Sequence, residues 1–202
     1  MRRATPDDLT LFLCGLLRAY GGPHPTVVEI GTLQMRTAVA LAIAGGPTCQ
    51  VVSIDCYDNE RKGVFDVGAW VLNARRLMKF GIDNVFLATC RSQWLGPIWR
   101  RPIDFLWIDG DHSVVGVMED IASWSPRLRP GGIICGDDYN HPSGMRRAVD
   151  ALVREDGERY CGFEVMEERI WYAMRRKEDG GAAVRRDGEE KKGSESGGGK
   201  AV

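Results

Sequence analysis

Four aspartates, Asp109, Asp111, Asp137 and Asp138, stand at the ends of two apolar runs in DFLWIDGDHSVVGVMEDIASWSPRLRPGGIICGDDY, from Asp104 to Tyr139. Each run reads as a buried parallel strand. A strand, a helix of suitable length and another strand form a right-handed crossover whose strand ends share one edge of the sheet. Carboxylates gathered on one rim repel one another and raise each other's pKa, and a hard divalent ion with oxygen ligands relieves that repulsion. The chemistry expected here is therefore that of a bound cation.

A second stretch, VVEIGTLQMRTAVALAIA from Val27 to Ala44, suits a different ligand. A strand carrying Glu29, then Gly31, then a helix presents backbone N–H groups and a positive helix end to a polar nucleotide fragment. The next strand, VVSID, ends at Asp55, a carboxylate placed to accept both hydroxyls of a ribose. Together these two strand ends read as a nucleoside site. A dinucleotide site would require G-x-G-x-x-G, but Leu33 and Arg36 occupy the later glycine positions, so a nicotinamide cofactor is disfavoured.

The elements that must position these groups alternate along the chain. A helix near residues 6–19 leads to strands at Thr26–Ile30 and Gln50–Asp55, with a helix near Gln34–Ala44 between them. A helix around Phe65–Phe80, a strand at Asn84–Ala88, a loop or short helix from Ser92 and a strand at Ile103–Ile108 follow. Then come a helix near Val114–Arg127, a strand at Gly132–Gly136 and a helix near Ser143–Glu155. Such alternation means an α/β domain with a parallel sheet covered on both faces. Phe163–Met166 and Ile170–Met174, separated by Glu167, Glu168 and Arg169, read as a hairpin that adds an antiparallel strand. The domain is expected over residues 1–176, and the Gly-rich, charged stretch 177–202 is expected to be disordered.

With 202 residues, 44% of them hydrophobic, the chain can bury one good core. Its formal net charge of −1 gives no electrostatic reason to expect nucleic acid or an anionic membrane as partner. The six cysteines lack CxxC spacing and several lie in apolar strand patterns, which indicates reduced thiols and a cytoplasmic setting. The start of the chain carries helix-start signals at Thr5, Pro6, Asp7 and Asp8 and no cleavage site, so it reads as a helix instead of a signal peptide. No apolar run is long enough to span a bilayer.

Glu29-Ile30-Gly31, the SID ending at Asp55, the IDGDH of Ile108–His112 and the GDDY ending at Tyr139 resemble class I S-adenosylmethionine-dependent methyltransferases. More narrowly they resemble the branch of macrocin- and novobiocin-type sugar O-methyltransferases, methyltransferase domain family 24. The resemblance covers roughly Val27–Met174. It implies a Rossmann-like, doubly wound, mostly parallel seven-stranded sheet with an antiparallel C-terminal strand. It also implies that Gly31, with Glu29, Thr32 and Thr37 near it, lies against the methionine part of the cofactor. Asp55 would hold the ribose, Arg91 and Ser92 would border the adenine, and Asp109 would stand between cofactor and metal. In the relatives, acids matching Asp109, Asp137 and Asp138 ligate magnesium, and the acid matching Asp111 is the general base, with His112 as rival. Relatives carry glycine at the position of Met35, so a bulky side chain is expected beside the methionine moiety.

Methyl transfer from a sulfonium needs an acceptor oxygen aligned with the S–CH3 bond and deprotonated, tasks that a cation and a neighbouring base can share. The expected acceptor is a hydroxylated small molecule, preferably a sugar or glycoside, with a lid from a second subunit as one arrangement. A catechol-type methyltransferase and a noncatalytic cofactor-binding scaffold are the alternatives. Trp70, Trp94 and Trp99 are candidate acceptor walls, while Trp107, Trp124 and Trp171 are expected in the core.

Overall fold

The computed structural model describes residues 6–59, 64–142 and 144–177. In chain order its elements are α1 (Pro6–Tyr20), β1 (Thr26–Ile30), α2 (Arg36–Gly45), β2 (Gln50–Asp55), β3 (Asp58–Asn59), β4 (Val64–Phe65) and α3 (Val67–Phe80). They continue as β5 (Val85–Thr89), α4 (Ser92–Leu95), β6 (Ile103–Ile108), α5 (Val114–Trp124), β7 (Leu128–Gly136), α6 (Met145–Val149), β8 (Tyr160–Met166) and β9 (Ile170–Arg175). Seven strands form one sheet in the order β5-β2-β1-β6-β7-β9-β8, parallel except for β9, which pairs antiparallel with both β7 and β8. The expected doubly wound sheet with an antiparallel hairpin is what the chain builds. The tail expected to be disordered lies outside the described residues, and the two-residue ribbon β3–β4 had no counterpart in the sequence reading.

Alternation along the strands explains the two covered faces. Val28, Ile30, Leu106, Ile108 and Ile134 point to one side and pack with Val117, Ile121 and Trp124 of α5 and Ala148 and Val149 of α6. Val27, Phe105, Trp107, Ile133 and Cys135 point to the other, beneath Leu13 and Leu17 of α1 and Leu41 of α2. Period-2 burial in the sheet thus meets apolar stripes at helical spacing on both sides.

Two elements differ from their sequence patterns. β7 starts at Leu128, earlier than expected, and its pairing with β6 is irregular between Ile103 and Phe105, next to Pro130, which has no N–H to donate, and Gly131, at φ +78°. The last crossover helix is α-helical only over Met145–Val149 and widens into a π turn at Asp150–Arg154, where the Tyr139 hydroxyl donates to Asp150 Oδ1 at 2.6 Å.

Candidate active site

The strand-end turns are built around close backbone approaches. At Gly31 φ is +93°, and a Cβ there would lie 2.0 Å from the Asp109 carbonyl oxygen, so the turn after β1 can pass the end of β6 only as glycine. Gly136 is fixed in the same way, because a Cβ would meet the Trp171 indole and the Ile108 carbonyl at 2.7 Å. These glycines set Asp109 and Asp137 side by side, one residue beyond adjacent parallel strands.

The turn after Gly31 is wired from within. Asp55 Oδ2 accepts from the backbone N–H groups of Thr32 (2.9 Å) and Leu33 (3.1 Å), and its Oδ1 accepts from Tyr57 N–H at 2.7 Å. Thr32 turns its hydroxyl inward, 2.7 Å from Ser53 Oγ, which in turn donates to Glu29. Tyr57 hydrogen-bonds with both Thr32 and Asn73, and Asn73 Nδ2 donates to Leu33 O at 2.9 Å. Glu29, 1% exposed, also accepts from the Ala38 N–H of α2. Burial pushes its carboxyl up to about 8, against the bond from Ser53 and with Asp109 and Asp55 adding to the rise, so Glu29 is largely neutral at pH 7.

Met35 adopts a left-handed conformation (φ +61°, ψ 15°), which glycine takes without strain and a larger side chain rarely does. Its side chain is 1% exposed and belongs to the core cluster with Ala38, Trp107 and Cys135. The bulky group expected beside the methionine moiety is thus accommodated in the interior. Thr37 lies half-buried in the first turn of α2, and Arg91 is exposed ahead of α4. Ser92 is buried and donates to Asp120, which Gln93 Nε2 also reaches at 3.0 Å. Burial raises Asp120 to about 7, with Asp111 and Glu119 adding to the rise.

At the acid rim, Asp109, His112 and Asp138 each offer a ligand atom, and these atoms lie within 4.8 Å of one another. His112 Nδ1 is 3.3 Å from Asp138 Oδ2, and its ring sits 5.4 Å from that of His141. Burial lifts the Asp109 carboxyl to about 8, Asp137 and Asp138 push it further in the same direction, and Arg169 opposes them. Asp137 is gripped by Arg169, whose Nε donates to Oδ1 at 2.6 Å and whose NH2 donates to Oδ2 at 2.5 Å. Arg169 also approaches Asp138 at 3.8 Å. It is aimed by a tight hairpin turn in which Glu167 (φ +49°) and Glu168 (φ +56°) are both left-handed. Asp111 faces another way. Its carboxylate accepts from Ser113 N–H (2.8 Å) and Oγ (3.0 Å), and it overlies Gly116 at the start of α5.

The structure therefore gathers Glu29, Gly31, Thr32 and Asp55 at one turn and Asp109, His112, Asp137 and Asp138 at the next, with Asp111 set against its own helix. Sequence reasoning missed Ser53, Asp120 and Arg169. Ser53 is the one polar residue within VVSI, and Asp120 falls on the buried i, i+3, i+4, i+7 stripe of α5 with Val117, Ile121 and Trp124, so both left a signal. Arg169 left none, because nothing in a charged hairpin turn says which strand end it will meet. Trp124 and Trp171 are fully buried, while Trp94 is 68% exposed.

A parallel sheet with an inserted antiparallel C-terminal strand, a glycine turn after β1, an acid ending β2 and acids following β6 and β7 together define a class I methyltransferase fold. The chain belongs to the methyltransferase domain family (Methyltransf_24), whose model matches residues 28–139. Similar solved structures include the O-methyltransferase TomG of Streptomyces achromogenes, in complex with S-adenosylmethionine. It is 18% identical, with a TM-score of 0.66 over 87% of this chain and 82% of that one. An O-methyltransferase of Bacillus cereus bound to S-adenosylhomocysteine is 18% identical, with a TM-score of 0.65 over 87% and 84%. An rRNA methylase of Streptococcus thermophilus is 14% identical, with a TM-score of 0.66 over 88% and 100%. No curated protein matches the chain significantly. Among the described residues, no helix is long and apolar enough to cross a membrane.

Proposed function

We propose that this protein is an S-adenosylmethionine-dependent O-methyltransferase acting on a hydroxylated small molecule, with a divalent cation at the acid rim. The observation that carries the reading is the convergence of Asp109, His112 and Asp138 beside the Gly31 turn. Gly31, Thr32, Thr37 and Asp55 would hold the methionine and ribose parts of the donor, with Glu29 supporting the turn, Arg91 and Ser92 near the adenine, and Asp109 between donor and rim. The donor supplies an electrophilic methyl group on sulfur. Asp109 and Asp138 offer hard oxygen ligands suited to magnesium or manganese, and Asp137, the third expected ligand, would have to give up an oxygen now held by Arg169 to join them. A cation there would stabilise an acceptor oxygen as it loses its proton.

The proton itself falls to His112. Asp138 Oδ2 lies 3.3 Å from Nδ1 of the imidazole, and Nε2 is the nitrogen that would accept from the acceptor hydroxyl. Asp111, the other candidate base, keeps both carboxylate oxygens on Ser113. A second reading, favoured by the same 4.8 Å grouping, makes His112 a cation ligand. A small-molecule acceptor is preferred over RNA because a net charge of −1 and an acidic rim offer no attraction for a phosphate backbone. A sugar hydroxyl is preferred over a catechol, and the cytoplasm is the expected setting.

Thermal denaturation tests this. S-adenosylhomocysteine should raise Tm, and magnesium or manganese should raise it further in the parent but not in Asp138→Asn. His112→Gln should keep the cation increment and lose turnover if the imidazole is the base; loss of the increment assigns it as a ligand. No response to S-adenosylhomocysteine would overturn the proposal.

A further inference from the structure

Beside the acid rim, between the C-terminal end of β7, α6 with its π turn, and β8, lies a groove of about 380 Å³ lined by Tyr139, Asn140, Arg146, Arg154, Phe163 and Val165, together with Glu164 and Glu168. Tyr139 and Asn140 directly follow Asp138, and Glu168 directly precedes Arg169, so two chain segments run from the groove to the candidate active site. Its base is apolar, with the Tyr139 and Phe163 rings 6.0 Å apart. Over these rings stand two guanidiniums, Arg146 at 5.4 Å from the Tyr139 centroid and Arg154 at 6.0 Å from that of Phe163. Ring faces of this kind hold a cation in place without neutralising it.

Among the described residues, Arg146 and Arg154 form no ion pair with Glu164 or Glu168, the two glutamates of the groove. Arg146 and Arg154 share a single carboxylate, Asp150, at 3.4 and 3.5 Å, and the shortest bond to Asp150 is taken by the Tyr139 hydroxyl at 2.6 Å. Glu164 does not serve them. Its position in β8 alternates with Phe163 and Val165, and its carboxylate accepts from Tyr172, which packs on the opposite face of the sheet. Both arginine side chains keep half or more of their surface exposed, at 56% and 52%. A planar, multidentate donor with spare N–H groups recognises a carboxylate or phosphate. Asn140 and Glu168, close in sequence to Asp138 and Arg169, suit ring hydroxyls.

We infer that this groove is the acceptor's anion-binding subsite, so that the preferred acceptor is a hydroxylated ring bearing one carboxylate or phosphate, held by Arg146 and Arg154 while a hydroxyl reaches the rim. This rests on the methyltransferase reading for the word acceptor, but the groove's preference for anions stands apart from it.

Calorimetric titration at low salt with glucuronate, glucose 6-phosphate and neutral glucose tests the inference. At least one anionic sugar should bind about tenfold or more tightly than glucose, equivalent to about 1.4 kcal/mol. The Arg146→Gln/Arg154→Gln variant should lose that advantage while its affinity for S-adenosylhomocysteine stays within about twofold. Should the double variant fold poorly, Arg154→Gln alone, at an exposed position, should lose several-fold. A glucuronate preference identifies a carboxylate and a glucose 6-phosphate preference a phosphate. Equal binding of glucose, or an anion preference that survives both substitutions, overturns the inference. Anion binding without S-adenosylhomocysteine binding would instead overturn the methyltransferase reading and leave the groove intact.

Discussion

Replacing Glu29 with glutamine should change how stability depends on pH, in a way that isolates one proton. In the folded protein burial raises Glu29 from 4.5 to about 8. Between these values the unfolded chain releases the proton and the native chain keeps it, so the native state loses about 1.4 kcal/mol per pH unit from this group. The contribution is fully present below about pH 4.5 and is lost as pH rises to about 8. Glutamine has no proton to lose, and its carbonyl can still accept from Ser53 Oγ and Ala38 N–H. The stability of Glu29→Gln minus that of the parent should therefore climb by about 2.7 kcal/mol from about pH 5.5 to about pH 7.5. Asp120, raised to about 7 by groups other than Glu29, slopes the same way in both proteins and cancels in the difference, while Asp109, which faces Glu29, contributes a smaller residual. Urea denaturation at three pH values measures it. Parallel pH profiles would show that Glu29 ionises near its ordinary value and would refute the account of a neutral buried network.

Gly31→Ala should lose more than about 3 kcal/mol, since it adds a left-handed penalty to a backbone overlap that only movement of the β6 end can relieve; a Tm within about 2 °C of the parent would contradict this. Arg169→Gln should cost about 2–3 kcal/mol by urea denaturation, less than a wholly buried pair because the arginine side chain is 44% exposed; an unchanged midpoint would show that Asp137 finds solvent or another partner.

The sheet was legible because its strands announce themselves as short apolar runs ending beside Asp55, Asp109 and Asp137, and because Gly31 marks a turn where the backbone passes close to a neighbour. The hairpin was legible from its two strand-like runs. What escaped the sequence lies in tertiary pairing. The orientation of Asp111 is decided by Ser113, a local cap that competes with the rim for its carboxylate. Met35 looked like an obstruction because a pattern gives residue size but not direction, and a left-handed φ turns its side chain into the core. The last helix kept an α-helical pattern through Glu155, yet the chain widens at Asp150, where Tyr139 and two arginines converge on one carboxylate.

The grip of Arg169 on Asp137 also bears on the order of assembly. During synthesis the ends of β6 and β7 emerge well before the turn between β8 and β9, so the three acids must wait for their balancing charge. Docking of the final two strands therefore does more than extend the sheet. It completes the electrostatics of the rim, because the guanidinium that faces Asp137 and Asp138 arrives only with residue 169.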